Sequence, residues 1–213
     1  MAEASKPIDV EQTRIVLGLL EYVERGGEQS QRRLASELGV ALGLANAYLK
    51  RCIKKGLVKV SQAPARRYAY YLTPHGFAEK TRLTLEFMSY SFALFRRAKT
   101  DCTAALQAAR ERGYSRIALL GASDLAEIAA ICALDGGFIV SAVVDPELES
   151  PRFAGALVVS DIDLIAPPPD ALLITDMRSA RTSAQAAVTK FGFERVLVPA
   201  LLGVRPSDLC GGA

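Results

Sequence analysis

Residues 42–73 read LGLANAYLKRCIKKGLVKVSQAPARRYAYYLT, and the hydrophobic period changes once within them. Up to Lys55, the positions Ala45, Leu49, Cys52 and Ile53 recur at i, i+4, i+7 and i+8. That spacing puts them on one buried helical face. After Gly56 the pattern alternates. Leu57-Val58-Lys59-Val60-Ser61 reads as a strand, 63–66 as a loop tip, and Arg67 to Thr73 as a second, tyrosine-rich strand. A helix of about 42–55 therefore runs directly into a hairpin.

Upstream, residues 9–25 carry Ile15, Val16, Leu19, Leu20 and Val23 at helical spacing, and Gly26-Gly27 stops that helix. Ser30 caps a second helix, QRRLASEL, which ends near Gly39. Three helices and then a hairpin is the element order of a winged helix. Downstream, Thr73 is placed to cap, and Pro74 to open, a helix continuing to about Arg112. Its Leu83, Leu85, Phe87, Met88, Tyr90, Phe92, Leu94 and Phe95 exceed what one small domain needs to cover. This predicts a homodimer through residues 76–110, the alternative being burial against the chain's own second domain.

From Ser115 the pattern alternates strand and helix. Strands are expected at 116–120, 138–145, 156–159, 171–175 and 196–199, with helices at about 124–134 and 179–191. The continuous apolar run of the first strand suits a parallel sheet covered on both faces. The predicted fold is a winged helix (residues 1–75), a long connecting helix (76–113) and a Rossmann-like α/β parallel sheet (114–213).

Charge divides along the same line. Residues 1–100 hold 17 Lys/Arg against 9 Asp/Glu, and residues 101–213 hold 9 against 14. The basic half suits nucleic acid, and the acidic half a different partner. No run approaches the roughly 18 apolar residues of a membrane span. With no apolar signal core in Met1–Pro7, the chain reads as cytoplasmic, without a membrane partner. Cys52, Cys102, Cys132 and Cys210 are widely spaced and the chain has one histidine, so neither a metal site nor a disulfide framework is expected. The thiols read as buried and idle.

The candidate partner of the first domain is double-stranded DNA. Opposite the buried stripe of the third helix lie Gly43, Asn46, Ala47, Lys50 and Lys54. Gly43 and Ala47 allow close approach to a major groove, Asn46 is suited to adenine, and Lys50 to guanine or phosphate. Gln31, Arg32 and Arg33 open the preceding helix, where N–H groups and side chains hold phosphate. Arg66 and Arg67 sit at the wing.

The stretches 31–40 and 49–60, with Tyr70-Tyr71-Leu72-Thr73-Pro74-His75-Gly76, resemble winged-helix regulators of the MarR type, over about residues 10–100. The Leu42-Gly43 turn and Glu79-Lys80-Thr81-Arg82-Leu83-Thr84 are similar to the subgroup associated with exopolysaccharide gene clusters. The resemblance implies operator binding as a dimer. Ala41 and Leu44 depart from it, standing where a capping Ser/Thr and a basic residue are expected.

In the second domain, Gly121-Ala122-Ser123-Asp124 takes the place of a Rossmann phosphate loop, although the pattern is G-x-S-x-x-A. Ser123 obstructs a pyrophosphate and Asp124 adds negative charge, so the helix start alone also explains these residues. Asp145 is read either as a ribose-hydroxyl acceptor or as a turn residue before Pro146. Thr175, Asp176 and Arg178 follow the fourth strand, with Arg178 and Arg181 as anion ligands or solvated charges. The region 116–199 resembles the small domain that opens sugar-nucleotide acyltransferases of the PglD type. Its joining to a winged helix is similar in layout to Rex repressors. The first resemblance implies a nucleotide-sugar or nucleotide effector, the second a dinucleotide. No cofactor beyond such an effector is expected. With no P-loop, no Tyr-x-x-x-Lys pair and a single histidine outside this domain, the chain reads as a regulator and not an enzyme. A DNA-binding scaffold with a merely oligomerising second domain, and an enzyme assembled through its winged helix, are the alternatives.

Overall fold

Helices α1 (Val10–Arg25), α2 (Gln31–Leu38) and α3 (Leu42–Lys54) are followed by the antiparallel hairpin of β1 (Val58–Ala63) and β2 (Arg67–Leu72). The computed structural model describes residues 10–26, 30–63 and 67–209, and only the backbone of residues 62, 63, 67 and 68. Two compact units are present, Met1–Phe92 and Ala93–Ala213. The division falls inside the long helix α4 (Pro74–Glu111).

The first unit forms around Leu19, Leu20, Leu34, Ala45 and Val58, all essentially inaccessible to water. Each buried leucine there contributes about 1.5–3 kcal/mol relative to exposure. The cap expected at Ser30 is present, its side chain accepting from Arg33 N at 3.2 Å. The Tyr22 hydroxyl clamps the Ser30 backbone, donating to its carbonyl and accepting from its amide, both at 3.1 Å. The Leu-Thr-Pro-His-Gly turn is explained by a local network. Thr73 Oγ1 donates to Gly56 O at 2.6 Å and accepts from Gly76 N at 2.9 Å. Gly76 lies against the wing, so that a Cβ there would sit 2.1 Å from the Leu57 carbonyl oxygen. A glycine is what lets α4 start in contact with the beginning of β1.

The second unit holds β3 (Arg116–Leu120), α5 (Asp124–Asp135), β4 (Ile139–Val144), β5 (Arg152–Phe153), β6 (Ala156–Val159), β7 (Ala171–Ile174), α6 (Ala180–Phe191), β8 (Val196–Leu197) and α7 (Pro206–Leu209). Its sheet order is β5-β6-β4-β3-β7-β8, parallel except for the β5–β6 pair. The period-2 rule sorts the two faces. Ile117, Leu119, Val143 and Leu173 pack with α5 and the end of α4. Ala118, Ala142, Val144, Leu172 and Ile174 pack with α6. The sheet is thus covered on both faces, as the continuous apolar strands require.

Two features of this unit were not expected from the sequence. Arg152–Phe153 forms an edge strand of two residues, turned back at Ala154-Gly155, both at positive φ. The last of the described residues also form a short helix, α7.

The apolar side chains of α4 have several destinations. Leu83 and Phe87 join the first unit's core. Ala98, Cys102, Leu106 and Ala109, at i, i+4, i+8 and i+11, are buried in the second unit's core. Between them residues 88–97 are exposed around the whole helix, including Met88, Tyr90, Phe92, Leu94 and Phe95, as is Leu85 one turn earlier. Cys52, Cys102 and Cys132 are buried and free. Burial pushes the Cys52 thiol up to about 11 and the Cys102 thiol to about 12, so neither is a thiolate near neutral pH. Cys210 lies outside the described residues. None of the described helices is long and apolar enough to cross a membrane.

Candidate functional site

Helix α3 buries Ala45, Leu49 and Cys52 and turns the opposite face to solvent. Gly43, Ala47, Lys50 and Lys54 are exposed there, at i, i+4, i+7 and i+11, as the sequence predicts. Apart from its own helix backbone and chain neighbours, nothing lies within 4 Å of where a Gly43 Cβ would be, so the helix can approach a flat or grooved surface closely. Asn46 departs from the expectation. It sits at the flank of this face, half-buried, with Oδ1 enclosed and no hydrogen-bond partner reaching it among the described residues. Helical geometry explains this: Asn46 is one residue, about 100°, away from Ala47 at the centre of the exposed arc. Leu44 and Arg51 belong to that arc and are exposed, although the sequence analysis did not include them in the interface. Their signal was present in the spacing, since each lies three or four residues from Ala47.

At the start of α2, Gln31, Arg32 and Arg33 are exposed. Gln31 Nε2 donates to the Tyr70 hydroxyl at 3.3 Å, tying the helix start to the wing. Arg33 and Arg25 share Glu37, at 3.0 and 2.5 Å. The Arg25 and Arg33 guanidinium groups hold that carboxyl below its ordinary range. Arg66 lies outside the described residues. Arg67 pairs through its backbone with Ala63, and its side chain is not among those described.

The second unit carries a cleft of about 670 Å³ at the carboxyl ends of β3, β4 and β7. Strand order reverses there, and open α/β sheets bind ligands at such a point. Gly121, Ala122, Ser123, Asp124, Asp145, Asp176 and Arg178 all line it. Thr175 does not. It is fully buried, and its Oγ1 donates to Gly121 O at 2.6 Å. Thr175→Val keeps the shape but leaves that carbonyl without its donor. Chemical denaturation is expected to show a loss of about 1–3 kcal/mol in the second unit.

Three loops tie one another together at this cleft. Ser123 Oγ donates to Thr175 O at 2.7 Å and accepts from Leu125 N and Ala126 N, capping α5. Ala122 N donates to Asp145 Oδ2 and Glu147 N to Asp145 Oδ1, both at 2.9 Å. Asp145 thus acts as a turn acceptor, one of the two roles open to it from sequence. Asp176 accepts from Arg178 N, Ser179 N and the Ser183 hydroxyl at 2.8, 3.0 and 2.6 Å. Burial raises the Asp176 carboxyl, but these donors outweigh it and hold the group below its ordinary value. Gly121, at φ +101°, has Asp176 Cα only 2.6 Å from where a Cβ would stand. The loop's glycine is therefore required by the neighbouring backbone, before any ligand is considered.

The lining carries the carboxylates of Asp124, Glu127, Asp145, Glu147 and Asp176 against the single guanidinium of Arg178. Arg178 is 88% exposed and lies 3.5 Å from Glu147. Arg181 is turned to Asp208 at 3.0 Å and does not line the cleft. A hydroxyl-rich group finds many acceptors here, whereas a phosphate finds one cation at the rim. Among the described residues no three His, Cys, Asp or Glu side chains gather as a metal site would need.

No curated protein matches the chain. Among solved structures, it is similar to the zinc-dependent MarR family transcriptional regulator AdcR in its Zn(II)-bound state. The identity is 18% and the TM-score 0.32, with 47% of this chain and 66% of that one covered, just under two thirds of the regulator's length. The O-methyltransferase NcsB1 from neocarzinostatin biosynthesis, in complex with S-adenosyl-L-homocysteine, matches at 14% identity and TM-score 0.34, with 91% and 83% covered. The N,N-8-amino-8-demethyl-D-riboflavin dimethyltransferase RosA from Streptomyces davawensis matches at 13% identity and TM-score 0.35, with 89% and 76% covered. Residues 12–59 match a family model described as winged helix-turn-helix DNA-binding, and together with the hairpin that follows they make the first unit a winged helix-turn-helix domain, joined by a long helix to a mostly parallel α/β sheet.

Proposed function

We propose that this chain is a homodimeric, DNA-binding transcriptional regulator whose α/β unit senses a nucleotide or nucleotide-sugar. The observation that carries the DNA reading is the exposed face of α3, where small residues at 43 and 47 are followed by Lys50, Arg51 and Lys54. A groove-reading helix needs that combination of close approach and phosphate neutralisation. The dimer is supported by the bare stretch of α4. Leu85, Met88, Phe92 and Phe95 are exposed and fall at 3-4-3 spacing, the narrow seam of paired helices. A helix apolar on its exposed surface is stabilised by a partner, and a second copy supplies the same seam.

The sensor reading rests on the position and size of the cleft and on its acceptors for sugar or ribose hydroxyls. A ligand-free scaffold is the competing reading, favoured by the completeness with which the three loops already satisfy one another.

The test is binding of the full chain to a random duplex pool at 50 and 200 mM salt, with and without UDP-sugars and NAD(H). Selective, salt-sensitive binding that shifts with a UDP-sugar is the expected result. Selective binding that no metabolite shifts would replace the sensor by the scaffold. Absence of DNA binding at 50 mM salt would remove the regulator reading.

A further inference from the structure

The first turn of α3 presents an unusual surface for a groove-reading helix. Leu42 and Leu44 are 42% and 45% exposed. Beside them Gly43 and Ala47 are exposed and small, and the space where a Gly43 side chain would stand is empty. Asn46 is half-buried at the flank with its Oδ1 enclosed, and no charged side chain is exposed on this face until Lys50, about 9 Å beyond Leu44 along the axis. Residues at the amino end of a recognition helix meet base edges, and those further along pass to the backbone. The part of α3 that would meet bases is therefore mainly apolar, with Asn46 at its flank, and the part that would meet phosphates is basic.

On the floor of the major groove there is one apolar group for such a surface to contact, the C5-methyl of thymine. Guanine and cytosine offer only acceptors and donors there, and burying them against leucine leaves those groups unpaired. A second protein as the occupant fits less well, because Lys50, Arg51 and Lys54 flank the apolar turn with cations and DNA supplies the matching anions on both sides of its groove.

Resting on the DNA-binding reading above, we infer that Leu44, with Ala47 beside it, is a specificity-determining contact for thymine methyl groups, so that the preferred operator places A·T pairs beneath the first turn of α3. The departure of Leu44 from the basic residue expected at its position becomes a change of specificity.

The test uses the full chain and duplexes recovered by selection from a random pool. Each selected duplex is remade with uracil for thymine, which removes the methyl and leaves base pairing intact. Wild-type protein is expected to bind the uracil duplex about fourfold more weakly for each contacted methyl, the factor corresponding to one buried methyl group. Leu44→Ala should lose a similar factor on the thymine duplex and become indifferent to the replacement, while Leu44→Met should keep the sensitivity. Leu44 is exposed, and unchanged circular dichroism confirms that the variants fold. Equal wild-type affinity for the two duplexes would overturn the proposal, as would an undiminished uracil penalty in Leu44→Ala. Failure to bind any duplex at low salt is a separate outcome, visible before any replacement is made, and it would overturn the DNA reading and this contact with it.

Discussion

Lys50→Ala combined with Lys54→Ala is expected to weaken DNA binding about 60-fold at 0.1 M salt and to flatten the salt dependence by about 1.8 logarithmic units per decade. Both figures follow from removing two phosphate contacts at about 0.9 counterions each. Both lysines are exposed on α3 and neither belongs to the core, so stability should change by no more than a neutral surface substitution does, about 0.5 kcal/mol, and the thermal midpoint should barely move. Fluorescence anisotropy across a salt series, paired with thermal melts, separates the two effects. A variant that binds as wild type with an unchanged slope would take α3 out of the interface and leave the wing and α2 to account for any binding.

Gly76→Ala is expected to cost the first unit about 3 kcal/mol or more, at the upper end of overpacking penalties. The added carbon would stand 2.1 Å from the backbone oxygen of Leu57 and 3.3 Å from Leu72 Cδ2. A backbone oxygen in a paired hairpin cannot rotate away as a long side chain can, so the start of α4 or the wing has to move. Limited proteolysis read by mass spectrometry should show cleavage appearing in the first unit while peptides of the second remain protected. Retained protection in both units would show that the α4 start shifts without cost.

The element order was legible because the sequence changes period where the chain changes structure. Ala45, Leu49 and Cys52 give way to the alternation of 57–61 across Gly56, and the helix, turn and strand fall there in the structure. Thr73 was legible as a cap, and it caps. The reason for Gly76 was not legible, because it lies in a carbonyl nineteen residues upstream that only folding brings near. The edge strand at Arg152–Phe153 was hidden by its length, since two residues carry no period. At Asp145 the sequence left a ligand role and a turn role open, and the structure places two backbone donors on its oxygens. At Asn46 residue type suggested a base contact, whereas helix geometry puts the amide at the flank. Leu44 was noticed only as a departure from a pattern. Its exposure, which gives the departure a physical meaning, was implicit in its three-residue spacing from Ala47, and the structure bears that spacing out.

The loops at the carboxyl edge of the sheet hold one another through Ser123, Asp145 and Thr175, with Asp176 fixing its own turn onto α6, whether or not anything occupies the space between them. The cleft is therefore preorganised. A ligand arriving there loses its own freedom but freezes little of the protein's, which favours tight binding for its size. The same rigidity denies the chain one route of signalling, because loops that are already ordered cannot report occupancy by becoming ordered. A guest in this cleft would alter the field of five carboxylates and one arginine without first having to order the loops that carry them.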